Sequence, residues 1–293
     1  MASTREIRRR IQAIKNITQI TRALQMVASS KMRRAQDRVL AARPYSEQLT
    51  KLLSRLSGQA EDLNELPLMR KRPVKSAAIV LVTPDGGLAG ALSSNVNRRA
   101  GQLAIELRRE HGADLPISFI AVGRKGRDFI VRTRQKLVAE FVKLGDQPKL
   151  SDVRAIARVI TDTYLNQEAD LVYLVYPKYI STVVQTPTVN QLLPVQPPAE
   201  AEESGPAPQY IFEPDATTIF AELLPRYIET LIYQPLLETL ASFYSAQMVA
   251  MKNATDAAND MVDSLTLAAN KARQEQITKE LLDIVGGVAA LEG

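Results

Sequence analysis

From about Ser3 to Ser57 the chain has one proline and no glycine. Within it Ile7, Ile11, Ile14, Thr18, Thr21, Gln25, Ala28, Met32, Ala35, Val39 and Ala42 recur at alternating spacings of four and three. That spacing is a heptad seam and predicts one long helix seeking a coiled-coil partner. Ile17, Ile20, Leu24 and Val27 form a second apolar stripe beside the seam, so the helix needs more than one neighbour. Ser3 is placed to cap the helix, with Glu6 completing a capping box. At 1.5 Å per residue the helix would run roughly 80 Å.

The other end repeats the pattern. From about Asp215 to Val285 there is no glycine, and Leu236, Leu240, Phe243, Gln247, Ala250, Ala254, Ala257 and Met261 keep the four-three spacing. The seam then slips by one residue to Leu265, Ala268 and Ala272, a change expected to alter the supercoil locally. Unbroken, this helix would be on the order of 105 Å long. Pro225 and Pro235 interrupt the pattern, and Pro235 is expected to kink the helix or mark where straight coil begins. Neither helix can bury its stripe alone, so the two are expected to pair antiparallel.

Between them the period changes. Ala77–Thr83 is a β-rich run ending in the turn-like Pro84–Gly87, followed by a helical stretch to about Arg109. Ile117–Val122, Leu137–Val142 and Leu171–Tyr176 read as strands, Ser151–Tyr164 as a helix and Tyr179–Val195 as extended. Strand–helix alternation predicts a Rossmann-like α/β domain with a largely parallel sheet. Gln196–Gln209 is Pro-rich and acidic, with no apolar residue larger than Ala, and is expected to be a flexible loop. The expected fold class is therefore α/β plus a long antiparallel coiled coil. Its parts are an N-terminal coil helix (1–57), a linker (58–75), the α/β globular domain (76–195), the acidic loop (196–209) and a C-terminal coil helix (210–293).

Charge supports the pairing. Residues 1–55 carry 13 Lys+Arg against 3 Asp+Glu, whereas residues 209–293 carry 5 against 12. Oppositely charged ends favour mutual approach, and the acidic end offsets a basic helix that would otherwise suggest nucleic acid. The chain has no cysteine, which excludes disulfides, thiolate catalysis and cysteine metal sites. No apolar run approaches a membrane span, and Met1–Arg10 leads straight into the helical pattern rather than a signal peptide.

Candidate chemistry is sparse. Gly86, Gly87 and Gly90 follow the first strand, where a phosphate loop would lie, but their spacing matches neither the dinucleotide nor the P-loop pattern. A tight strand-to-helix turn is the plainer reading. Gly123-Arg124-Lys125-Gly126-Arg127 reads as a solvated basic turn rather than an anion cradle. His111 is the single histidine, so no histidine pair can hold a metal. Asp256, Asp260 and Asp263 read as one acidic helix face. Neither a catalytic constellation nor a cofactor site is expected. Leu281–Leu291, whose single charge is Asp283, would pack on its own domain or enter a socket in a partner.

Ile14–Gln36 (IKNITQITRALQMVASSKMRRAQ) resembles the N-terminal signature of the ATP synthase gamma family. Tyr176–Val195, Tyr210–Asp215, Gln247–Thr255 and Asn270–Gly287 resemble further stretches of that family in the same order, so the likeness extends from Arg5 to Gly287. The resemblance implies the central rotor shaft of an F-type ATP synthase. The coil would stand inside the hexamer of alpha and beta subunits, and the α/β domain would form a foot with epsilon on the c ring. Such a subunit is not catalytic by itself and reaches the membrane only through the complex, on the cytoplasmic face of the bacterial plasma membrane.

By position, the resemblance implies that Arg273, Gln274, Thr278 and Glu280 meet alpha and beta loops. Leu24, with Arg8, Arg9, Lys15 and Arg22, would face the moving part of beta. Ile284 and Val288 belong to a tip held in an apolar sleeve, and Tyr210, Glu213 and Asp215 to the segment meeting epsilon and the c ring. Val82–Arg98 departs from the family pattern, keeping Asp85 but carrying Gly86 for Arg and Ala89 for Cys. Pro235 stands where small Gly-like residues are common, and the cysteine-bearing insertion of chloroplast relatives is missing.

Overall fold

The computed structural model describes residues 4–59, 66–196, 213 and 215–292. The capping Ser3 lies outside them, as does the acidic loop apart from Gln196. The elements run α1 (Thr4–Gln59), β1 (Ala77–Val82), α2 (Leu92–His111), β2 (Ile117–Val122), α3 (Arg124–Arg132) and β3 (Lys136–Phe141). They continue with α4 (Leu150–Leu165), β4 (Leu171–Tyr179), β5 (Gln185–Leu193) and α5 (Ala216–Glu292). The chain divides into two compact units, one of Met1–Ala28 with Met248–Gly293, the other Ser29–Gln247.

The first unit is an antiparallel helix pair. Thr4 Oγ1 donates to Gln276 Oε1 at 3.5 Å, and Thr21 Oγ1 lies 2.7 Å from Thr255 Oγ1. Numbers rising along α1 thus meet numbers falling along α5. On α1 the predicted seam is the inner face: Ile7, Ile11, Ile14 and Thr18 are half-buried, and Thr21 and Ala28 are buried. On α5 the seam is Met251, Thr255, Ala258, Val262, Leu265, Ala269 and Ala272, an unbroken four-three series.

The expected slip therefore does not occur, and Ala257, Met261 and Ala268 are exposed. The cause is Thr255, which a polarity count passes over in favour of Ala254. Its hydroxyl donates to Met251 O at 2.9 Å and also meets Thr21, so the side chain is satisfied in the seam. Counting it moves the frame by one residue.

The second unit is a five-stranded sheet of order β3-β2-β1-β4-β5 with helices on both faces. Strands β1 to β4 pair parallel and β5 pairs antiparallel to β4. Because side chains alternate across a strand, Ala78, Val80 and Val82 face one core and Ala77, Ile79 and Leu81 the other. The first core takes Leu49, Leu53 and Leu56 of α1, Ile156 and Ile160 of α4, and Phe220, Leu224, Ile228 and Ile232 of α5. The second takes Val96, Leu103 and Leu107 of α2 and Ile130 of α3.

Two local expectations change. Helix α5 runs unbroken through Pro225 and Pro235. Each proline removes one backbone bond at a cost of about 3 kcal/mol, but buried Leu224, Ile228, Ile232, Leu236 and Leu237 hold this stretch against the core. The supposed basic turn at Gly123–Arg127 is the entry to helix α3, concealed because only Gly126 and Ile130 of that helix are buried.

Candidate functional site

In an open parallel sheet, ligands bind beyond the carboxyl ends of strands where the winding reverses, here between β1 and β4. That crevice is occupied by α5. Ser242 Oγ donates to Pro177 O of β4 at 2.9 Å, and Gly86, just past β1, backs directly onto the Phe243 ring. A Cβ on Gly86 would lie 2.6 Å from Phe243, so glycine is what lets the loop pass beneath that ring. The arginine expected here from the family pattern would require Phe243 to move.

The first turn of α3 is equally committed. The Asp85 carboxylate accepts from Arg124 N at 2.8 Å and from Lys143 N at 2.9 Å, and Thr83 Oγ1 accepts from Gly126 N at 2.7 Å. A carboxylate thus fills the position a phosphate would take at that helix start. Ala89, in place of the family's Cys, is a small buried residue. The loop of Gly86, Gly87 and Gly90 is a strand-to-helix connection rather than a nucleotide cradle. His111 ends α2 half-buried, 3.9 Å from Glu110. Among the described residues no group of acids and histidines could hold a metal ion, and no helix is long and apolar enough to cross a membrane.

Exposed helix surface is where unassigned side chains accumulate. On α1, Arg8, Arg9, Lys15 and Arg22 are exposed and Leu24 is half-buried. Beside them the second stripe stands in solvent, with Ile17 52%, Ile20 60% and Val27 53% exposed. On α5, Arg273, Gln274, Thr278 and Glu280 are exposed, as are Leu281, Leu282, Ile284 and Val285. Isolated apolar side chains at a surface are ordinary, but rows of them mark a contact face. The side chain of Val288 and all of Tyr210 lie outside the described residues. Asp256, Asp260 and Asp263 are exposed together, as expected.

Glu213 is exposed, and Asp215 caps α5, accepting from Thr218 N at 2.8 Å and Thr218 Oγ1 at 2.7 Å. Those bonds favour the charged form and hold the Asp215 carboxyl below the usual carboxylate range. The family resemblance makes Asp215 a partner residue; the Asp-x-x-Thr spacing before an apolar run is the sequence sign of its capping role.

One cluster escaped the sequence altogether. Asp146, in the loop between β3 and α4, receives Lys31 Nζ at 2.6 Å and the Tyr244 hydroxyl, while Arg38 donates to its carbonyl at 2.6 Å. The Lys31 ammonium also lies 5.4 Å from the Tyr244 ring centroid. One loop aspartate thus ties Lys31 and Arg38 of α1 to Tyr244 of α5. Partial burial opposes ionisation of Asp146, but the bonds from Lys31 and Tyr244 prevail and lower its pKa. Burial, then the nearby carboxylate, pushes the Tyr244 hydroxyl well above the ordinary phenol range.

Comparison with known proteins agrees with this architecture. The family model described as ATP synthase matches residues 3–291. The ATP synthase gamma chain of Dehalococcoides mccartyi strain CBDB1 is 48% identical over 292 residues, covering 99% of this chain and all (100%) of that protein. That of Roseiflexus castenholzii is 48% identical over 293 residues, covering 99% of each. Among solved structures, a chain of the Euglena gracilis mitochondrial ATP synthase (OSCP/F1/c-ring, rotational state 3) shares the fold. Its TM-score is 0.63 at 16% identity, covering 98% of this chain and 94% of that one. A chain of the Tetrahymena thermophila mitochondrial central stalk/c-ring shares it with TM-score 0.59 at 23% identity, covering 80% of this chain and 99% of that one. Matched over nearly its whole length by the family model and by relatives 48% identical to it, the chain belongs to the ATP synthase gamma-chain family.

Proposed function

We propose that this chain is the central rotor shaft of an F-type ATP synthase, transmitting c-ring rotation to the nucleotide sites of the beta subunits. The observation that carries this reading is the division of the coil's surface. Its seam is closed by its own two helices, whereas Ile17, Ile20, Val27, Ile284 and Val285 and the flanking cations remain exposed. A shaft needs that combination: a paired interior that resists torsion and an outer surface with different contacts on different sides. Each beta conformation is then favoured in turn by its differential contacts.

In this reading Arg8, Arg9, Lys15, Arg22 and Leu24 meet the beta subunits, and Arg273, Gln274, Thr278 and Glu280 meet loops of alpha and beta around the shaft. Ile284 and Val288 lie in the apolar sleeve. Residues 1–57 and 210–293 are the arms of the coil, and 76–195 is the foot. Tyr210, Glu213 and Asp215 approach epsilon and the c ring. The subunit is non-catalytic by itself, consistent with a β1–β4 crevice filled by Ser242 and Phe243. It sits on the cytoplasmic face of the bacterial plasma membrane, held there through the complex.

Co-expression with the cognate alpha and beta subunits tests this. The expected result is a stable complex whose ATP hydrolysis turns the shaft, visible as rotation of a bead fixed to the foot. Failure to co-purify, or hydrolysis without rotation, would refute the assignment.

A further inference from the structure

We draw no further inference here: the strongest candidate, the apolar groove of about 300 Å³ that Tyr45 of α1, Leu150 of α4 and Tyr233 of α5 line within the second unit, carries nothing because nothing in the structure shows what covers it.

Discussion

The Thr21–Thr255 contact offers a sharp test of how the coil holds its register. The two residues are 8% and 5% exposed, and their hydroxyl oxygens lie 2.7 Å apart. Each hydroxyl also approaches its own helix, Thr21 to Thr18 O at 3.1 Å and Thr255 to Met251 O at 2.9 Å. Two protons serve these contacts, so replacing one threonine by valine leaves the other its backbone bond and removes only the bond across the seam. A net loss of about 1 kcal/mol is expected for that bond, partly offset by the added apolar methyl at about 0.8 kcal/mol.

Thr21→Val and Thr255→Val should therefore each cost between about 0 and 1 kcal/mol. The double variant, with both polar groups replaced by isosteres, should be as stable as the original or more so. The coupling energy from the cycle should be about 1 kcal/mol. The chain has no tryptophan, so urea unfolding is best followed by circular dichroism of the helices. A second readout is register, reported by a disulfide between cysteines placed at Thr4 and Gln276. A polar pair in a seam specifies one alignment against its neighbours, so that crosslink should form less completely in the double variant. Additive single effects, or a double variant less stable than either single one, would refute the account.

Three further outcomes follow from the second unit. Asp146→Asn should flatten the acid limb of stability. The lowered folded-state pKa of Asp146 means its contribution is full above its ordinary value of 3.8 and fades as pH falls through the lowered value. With Lys31 and Asp146 side chains 41% and 49% exposed, solvent screening limits the ion pair to about 0.2–1 kcal/mol; an acid limb as steep in the variant as in the parent would contradict this. Gly123→Ala should cost more than about 3 kcal/mol, because φ is +100° and the new Cβ would fall 1.8 Å from Thr83 O. A thermal midpoint within a degree of the parent would count against it. Arg72→Ala should cost about 3 kcal/mol by stranding the Asp170 carboxylate, whose side chain is 7% exposed. The loss stays at that end of the range because Lys75 N and Ser76 N still donate to Asp170 at 2.8 and 3.1 Å. Unchanged stability would mean those amides suffice.

The sequence by itself determined the elements whose signal is local and repeated. The seam of α1 is legible because a long helix buries the same face at every turn, and the strands β1 and β2 because a sheet covered on both faces demands continuous apolar runs. Family motifs singled out Arg8, Arg9, Lys15, Arg22, Arg273, Gln274, Thr278 and Glu280, all of which the structure leaves exposed. Tertiary structure decided the rest. The α5 seam turned on Thr255, whose hydroxyl is satisfied by Met251 O of its own helix and by Thr21 on the other. Continuity through Pro225 and Pro235 turned on burial against a core assembled from distant segments. The fate of the glycine loop turned on Asp85, Ser242 and Phe243, and the tie at Asp146 on Lys31 and Tyr244, far apart in the chain. Periodicity along a chain reports which face a residue turns inward; it carries no information about which remote side chain will be waiting there.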